Sequence, residues 1–395
     1  MRLQADEALV VEAVRRNGAI SRTRIAAITG FSRAKITSVA NGLLAKEILA
    51  EIGDGVSEGG RKPRLLHFNN QLGYVVGVDL GATSLSVAVA RFSGEILAHC
   101  SEPVDVRDGP EIVLGRVIDL ALDLLAHHDI APEQIRGIGL GVPGPVEFAT
   151  GLLIAPPIMP GWEAYPIREA MQSAFPNSIT MVDNDVNIMA LGELRSGAGV
   201  GVENFIFIKV GTGIGCGIVA RGSIYRGSTG CAGDVGHICV DRNGPVCHCG
   251  NTGCLEAMAA GPPIAQRATE AAHAARSDIL LRYLEQGNGV LTAADVGKAA
   301  AEGDRIAIEI IQDSGRMVGE VLASLVNFFN PSLILIGGGV ANIGFQLLSS
   351  IRQGVLLRSL PLSTRHLQID YSPMGAEAGI IGAVSLALDH VFIIH

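Results

Sequence analysis

His237, Cys247, Cys249 and Cys254, an imidazole and three thiols, lie within 18 residues of one another. The whole chain has only 7 cysteines. One borderline nitrogen and three soft sulfurs are the donor set that a tetrahedral zinc takes in a closed structural site. Gly244, Pro245, Gly250 and Gly253 lie among the candidate ligands and let the backbone turn tightly enough to converge. His248 is a rival ligand, flanked by two stronger candidates. Inert core cysteines around a satisfied histidine are the ordinary alternative, and the glycine-punctuated clustering weighs against it. Asp234 and Glu256 bracket the segment.

A second chemistry is written in glycines. The run Y-V-V-G-V-D-L-G-A-T-S reads as a strand, a glycine turn and the start of a second strand, with Asp79, Gly81 and Thr83 at the turn. The pattern recurs about 130 residues later as F-I-F-I-K-V-G-T-G-I-G, with Gly211, Thr212 and Gly213. Exposed N–H groups in such turns can cradle phosphate oxygens, and an acid beside them can hold Mg²⁺. Two ordinary β-hairpins would explain the pattern equally well. A third turn, within Leu333–Val340, places Gly338 after a buried strand. The stretch I-T-M-V-D-N-D-V-N reads as a strand opening on a helix. Asn184 and Asp185 then sit at a strand end, where α/β proteins build sites.

The elements that must position these groups alternate between strand and helix. A strand over 135–146 leads to a Pro-rich loop with the only Trp, and helices are expected over about 262–286, 292–302 and 304–329. A final helix over A-E-A-G-I-I-G-A-V-S-L-A-L should pack back on the first lobe. Two related halves of this kind predict a two-lobed α/β body. The expected boundaries are a head over 1–70, a first lobe over 71–190 plus about 375–395, and a second lobe over 191–374 that carries the metal segment.

The head is distinct in charge. Residues 1–70 hold 11 Lys+Arg against 7 Asp+Glu, whereas the rest holds 19 against 32. A basic head on an acidic body predicts that only the head meets nucleic acid. Its pattern is that of a winged helix-turn-helix. A first helix spans 5–17, Ser21 caps a short second one ending at Gly30, and Ser32 caps a third. Ser32, Arg33, Lys35 and Thr37 would open the recognition helix. Arg61, Lys62 and Arg64 would contact phosphates or the minor groove from the wing. A small docking domain with solvated charges is the plainer alternative.

The chain is 48% hydrophobic and 17% charged over 395 residues, enough for large cores. Acids at Asp6, Glu7 and Glu12 interrupt any apolar leader, and no uncharged apolar run is long enough to span a bilayer. A cytoplasmic protein with reduced thiols and no membrane insertion is expected.

Four motifs now resemble those of one family. V-D-L-G-A-T-S is similar to the first phosphate hairpin of the ROK family (repressors, open reading frames and sugar kinases). V-D-N-D-V-N is similar to its catalytic-aspartate segment. G-D-V-G-H resembles its sugar motif, and C-H-C-G-N-T-G-C-L-E its zinc motif. The match extends over almost the whole chain, and the basic head with G-R-K-P-R-L resembles the repressor branch. The resemblance implies an actin-like, hexokinase-type (ribonuclease H-like) body with sugar between the lobes. It implies sugar contacts from Asn184, Asp185, Asp234, His237 and Glu256, and structural zinc on His237, Cys247, Cys249 and Cys254. Asp185 would be the general base of a kinase. Two departures stand out. Asp234 replaces the family's Glu, which draws the carboxylate back by about 1–1.5 Å. Ala82 replaces a glycine in the first hairpin, adding a Cβ where positive φ is expected.

These readings imply a sugar-responsive transcriptional regulator, a repressor first, acting on operator DNA as a dimer or tetramer. An ATP- and Mg²⁺-dependent sugar kinase is the alternative. A regulator controlled mainly by a protein partner is the third reading.

Overall fold

The computed structural model describes residues 2–54, 64–69 and 71–394. The wing candidates Arg61 and Lys62 lie outside them.

The head comprises β1 (Arg2–Leu3), α1 (Ala5–Asn17), β2 (Ile20–Ser21), α2 (Arg22–Thr29), α3 (Arg33–Ala45), β3 (Leu49–Asp54) and β4 (Arg64–Phe68). The turn between α2 and α3 is set by Gly30, left-handed at φ 72°, and by Ser32, whose hydroxyl accepts the Lys35 N–H at 3.2 Å. β2, β4 and β3 form one antiparallel sheet.

The body repeats one topology. In the first sheet β5 (Tyr74–Leu80), β6 (Ser84–Arg91) and β7 (Ile96–Pro103) form an antiparallel meander, followed by α4 (Pro110–Ala126). β8 (Ile135–Val142) lies parallel to β5, and a small ribbon of β9 (Val146–Glu147) and β10 (Leu152–Leu153) follows. After α5 (Ile167–Ala174), β11 (Ile179–Asn184) adds parallel to β8 and runs into α6 (Asp185–Ser196).

The second sheet repeats this order. β12 (Phe205–Val210), β13 (Ile214–Ala220) and β14 (Ser223–Ile224) pair antiparallel. The helices α7 (Leu255–Ala259), α8 (Gly261–His273), α9 (Asp278–Gln286), α10 (Ala293–Ala301) and α11 (Arg305–Phe329) follow. Then β15 (Leu333–Gly337) pairs parallel to β12. After α12 (Phe345–Arg358) and α13 (Pro361–Thr364), β16 (Gln368–Tyr371) closes the sheet. Each sheet thus buries apolar parallel strands at its centre and carries a glycine hairpin on one side.

The helix expected over about 262–286 is two. Ala275 takes a left-handed φ of 51°, and Ser277 caps α9 by accepting the Leu280 N–H at 2.9 Å. The local Ser-Asp cap outweighs the continuous apolar period.

The last helix, α14 (Glu377–Val391), packs on β5 and β8 and lies against α6. The approach is so close that a Cβ at Gly382 would fall 1.7 Å from the Ile188 carbonyl oxygen. β17 (Ile393–Ile394) then pairs in parallel with β1. One apolar cluster joins Val10, Val14, Ile36 and Leu66 of the head to Ala88, Val384, Leu388 and Val391 of the body. The head is therefore packed onto α14 and the first sheet. Among the described residues, no helix is long and apolar enough to cross a membrane.

Candidate functional site

A cleft of about 810 Å³ is lined by both glycine hairpins and by the metal-type segment. Gly81–Ser84 and Gly211–Gly213 face it from the two sheets, Asn184 and Asp185 from the start of α6, and Asp234, His237 and Glu256 from the cysteine segment. Residues up to 175 positions apart in sequence thus meet because the two sheets are alike and their hairpins point to one space.

The metal candidates converge. The ligand atoms of His237, Cys247, Cys249 and Cys254 all lie within 4.8 Å of one another. His237 Nδ1 is 3.6 Å from Cys247 Sγ, and Cys249 and Cys254 sulfurs are 3.7 Å apart. Zinc bonds of about 2.0–2.3 Å in a tetrahedron set ligand–ligand separations of about 3.5–3.8 Å, so the donors fit that ion. Gly253 makes the loop feasible: its φ is 69°, and a Cβ there would lie 1.5 Å from the Asp241 carbonyl oxygen. His248 is outside the cluster.

His237 turns its other nitrogen toward the cleft. Nε2 is 3.7 Å from Asp234 Oδ1, and the Asp234 side chain is 56% exposed. Glu256 accepts the Ile214 N–H at 3.0 Å through one oxygen, and its other oxygen has no donor among the described residues. Asn184 is partly committed. Its Oδ1 caps α6 by accepting the Val186 N–H at 2.9 Å, and its Nδ2 donates to the Gly144 carbonyl at 3.0 Å.

Asp185 carries a partner that the sequence reasoning missed. Lys209, in β12, forms an ion pair with its buried carboxylate. The signal was there, a single lysine within the apolar strand F-I-F-I-K-V. Burial pushes the Lys209 ammonium's pKa down, yet Asp185 and Asp79 outweigh burial and hold it above the ordinary lysine value. Asp79 is half-buried and is not part of the lining, and it packs so closely that a Cβ on Gly379 would sit 1.9 Å from its Oδ2. Burial pushes its carboxyl up to about 6; the Lys209 charge opposes that rise and the Asp185 charge adds to it. Gly338 is likewise not part of the lining, whereas its neighbours Gly339 and Val340 are.

Ala82 proves no obstacle to the hairpin. It is not among the described residues with positive φ, and its carbonyl accepts the Val106 N–H at 3.2 Å. The turn is closed instead by the Gly81 N–H donating to the Ser84 carbonyl at 2.8 Å.

In the head, Ser32, Arg33, Lys35 and Thr37 are exposed at the start of α3, opposite its buried Ile36, Ala40 and Leu43. Their chemistry is unequal. Ser32 caps the helix, and Thr37 donates to the Arg33 carbonyl at 2.9 Å. Lys35 pairs with Asp6 at 2.9 Å and lies over the Phe31 ring. Arg64 shares Glu51 with Arg22. Arg33 has no ion-pair partner among the described residues.

Comparison with known proteins agrees with this geometry. The ROK family model matches residues 75–390. A glucokinase of Halalkalibacterium halodurans is 38% identical over 311 residues, 78% of this chain and 93% of its own. A xylose repressor of Caldicellulosiruptor bescii is 30% identical over 386 residues, 98% of this chain and 96% of its own. A solved ROK family transcriptional regulator, described as a homolog of the E. coli MLC protein, superposes with a TM-score of 0.83 at 27% identity. That superposition covers 98% of this chain and 96% of the other. With a family model spanning most of its length, a repressor matched end to end and the motif residues gathered in one cleft, the chain belongs to the ROK family.

Proposed function

We propose that this protein is a sugar-responsive, DNA-binding transcriptional regulator, and a repressor in its simplest form. One observation carries the reading. The repressor relative aligns over 98% of the chain, head included, whereas the glucokinase relative covers 78% of it. The head, residues 1–70, acts as a winged helix-turn-helix that places α3 in the major groove. Residues 71–190 with 375–395, and residues 191–374, act as the two lobes around the sugar.

In this reading the cleft binds a sugar through carboxylates and an imidazole. Asp185, Asp234 and Glu256 accept from hydroxyls, and buried acceptors left unpaired by a missing hydroxyl give selectivity. Asn184 retains one amide hydrogen for the same purpose. Zinc on His237, Cys247, Cys249 and Cys254 is structural, because four protein donors leave no open position. It fixes the His237 ring so that Nε2 faces the ligand. The sugar then shifts the balance between DNA-competent and incompetent arrangements. A change from 1:99 to 99:1 takes about 5.5 kcal/mol of differential affinity. A dimer or tetramer would set two heads on paired half-sites.

The test is selection of duplexes from a random pool with the full-length protein, followed by titration with xylose, glucose and N-acetylglucosamine. Arg33→Ala should weaken the selected duplex by about 10–100-fold, the worth of one base-reading arginine, without altering sugar affinity. A wild-type protein that enriches no sequence would overturn the reading.

A second reading, an ATP-dependent sugar kinase, is favoured by the identity to the glucokinase and by the retained Asp185 and Gly211-Thr212-Gly213. Asp79 would then serve Mg²⁺ and Asp185 the hydroxyl proton. The Lys209 ion pair bears on it at one oxygen only: the ammonium engages Asp185 Oδ2, which leaves Oδ1 as the atom that would accept that proton. Incubation with MgATP and hexoses should give no turnover above background. Sugar-phosphate formation abolished by Asp185→Asn would establish the kinase instead.

A further inference from the structure

The start and the end of α6 touch different parts of the protein. Asn184 and Asp185 at its first turn line the cleft. Arg195, in its last turn, joins an ion-pair cluster with the head. Its guanidinium reaches Asp389 of α14 at 2.8 Å and Glu12 of α1 at 3.2 Å. Arg15 of α1 completes the square, pairing with Asp389 at 2.7 Å and with Glu12. Arg16 of α1 also pairs with Glu12 at 2.6 Å, so three arginines and two carboxylates from three helices form one group with a net charge of +1. The helix between cleft and cluster is 12 residues long, about 18 Å at 1.5 Å per residue.

A second set of contacts ends at the same place. Arg226 precedes the segment carrying Asp234 and pairs at 2.7 Å with Asp183, the residue before Asn184. Its guanidinium lies 4.0 Å over the Phe148 ring. The same ring meets His390, next to Asp389, edge-on with centroids 5.8 Å apart. Both routes from the cleft therefore reach residues 389–390, where α14 supports the head.

We propose that the Glu12–Arg15–Arg195–Asp389 cluster is the coupling element between the cleft and the head, with α6 as the rod that links them. The inference rests on the sugar-sensing reading above. α6 lies against α14 at backbone-to-backbone distance, with no space for a Cβ at Gly382, so it moves as a unit rather than bending. A ligand acting on Asn184 and Asp185 displaces the first turn, and Arg195 must then remake its bonds. The guanidinium uses different nitrogens for Glu12 and for Asp389. A small rotation therefore exchanges or breaks specific bonds rather than stretching all of them. Arg195 Nε is buried without a hydrogen-bond partner among the described residues, so the arrangement is not the arginine's best possible one, as suits an element that exchanges between two states. Arg195 is a positioning residue in this scheme and touches neither sugar nor DNA.

The experiment compares wild type, Arg195→Met and Arg195→Lys as full-length proteins. Sugar affinity is measured by calorimetry with xylose, glucose and N-acetylglucosamine, and affinity for the selected duplex with and without saturating sugar. Wild type should change its DNA affinity by about tenfold or more on binding sugar, within the usual range of coupling. Arg195→Met should bind sugar and DNA separately with near wild-type affinity and lose most of that change. Arg195→Lys, a point charge without the fork, should retain an intermediate response. A full response in Arg195→Met overturns the inference while leaving the sensing reading intact. A wild type that binds sugar with no effect on DNA sinks the sensing reading itself. If Arg195→Met fails to fold, hydrogen exchange on the wild type decides: sugar should alter protection in residues 5–17, and unchanged protection there overturns the proposal.

Discussion

Lys209→Met destabilises the protein by about 3–5 kcal/mol at pH 8, the usual cost of leaving a buried charge without its partner. Asp185 is 5% exposed at its side chain and has the Lys209 ammonium as its ion-pair partner. Asp79 also feels that charge, and its carboxyl already stands at about 6 through burial. The sign of the pH dependence follows. A carboxyl whose folded pKa is raised binds more protons in the native state, so stability falls as pH rises from about 4 to 6. Removing Lys209 raises the Asp79 value further, because the one opposing charge is gone. The difference between wild type and variant should therefore be small near pH 5 and full at pH 8. Urea midpoints at the two pH values, with excess zinc present, measure it. A penalty independent of pH would show that Lys209 acts through packing alone.

Cys249→Ser should leave the purified chain with little bound zinc and should weaken sugar binding by at least about tenfold, or 1.4 kcal/mol. Apart from the cluster, the segment is held by turn-type backbone hydrogen bonds, such as the Cys247 N–H to the Asn251 carbonyl at 2.7 Å and the Gly253 N–H to the Pro245 carbonyl at 2.8 Å. Between His237 and Leu255 the regular pairing is confined to the isolated bridges Cys239↔Cys254 and Val246↔Thr252. The same residues carry His237 Nε2 and flank Glu256, so loosening them displaces two of the groups proposed to meet the sugar. Metal analysis, calorimetry with the sugar panel, and hydrogen exchange over residues 238–254 provide the readouts. A variant with one zinc per chain and unchanged exchange would refute the structural role given to this cluster. Chelation of the wild type should reproduce the variant's behaviour.

Local chemistry was legible in the chain. The cysteine spacing, the glycine punctuation and the strand–Asn–Asp–helix junction each need only neighbouring residues, and all are where the pattern implied. The head's helices were equally legible, since Ser21 and Ser32 caps and Gly30 act within a few residues. Where two local signals competed, the weaker one misled: apolar periodicity joined α8 to α9 across a Ser277 cap. Long-range pairings left little trace. Lys209 drew no reading from the sequence, because its partner Asp185 is 24 positions away on a helix. Lys35 and Arg64 were expected to contact DNA. Only packing showed them paired with Asp6 and Glu51.

The sequence by itself determined which residues could bind a metal, a hydroxyl or a phosphate, because donor type and short spacing are local properties. It also determined that the chain would form two similar α/β halves. The tertiary structure decided which of those groups share a cleft, since convergence of the two hairpins depends on how the sheets pack about α6 and α14. It decided as well that the head is seated on the body by β1–β17 pairing and a common core. The charges that join them, Glu12, Arg15, Arg195 and Asp389, are scattered over 378 positions of sequence. They become one group only when three helices pack, and no local pattern encodes that.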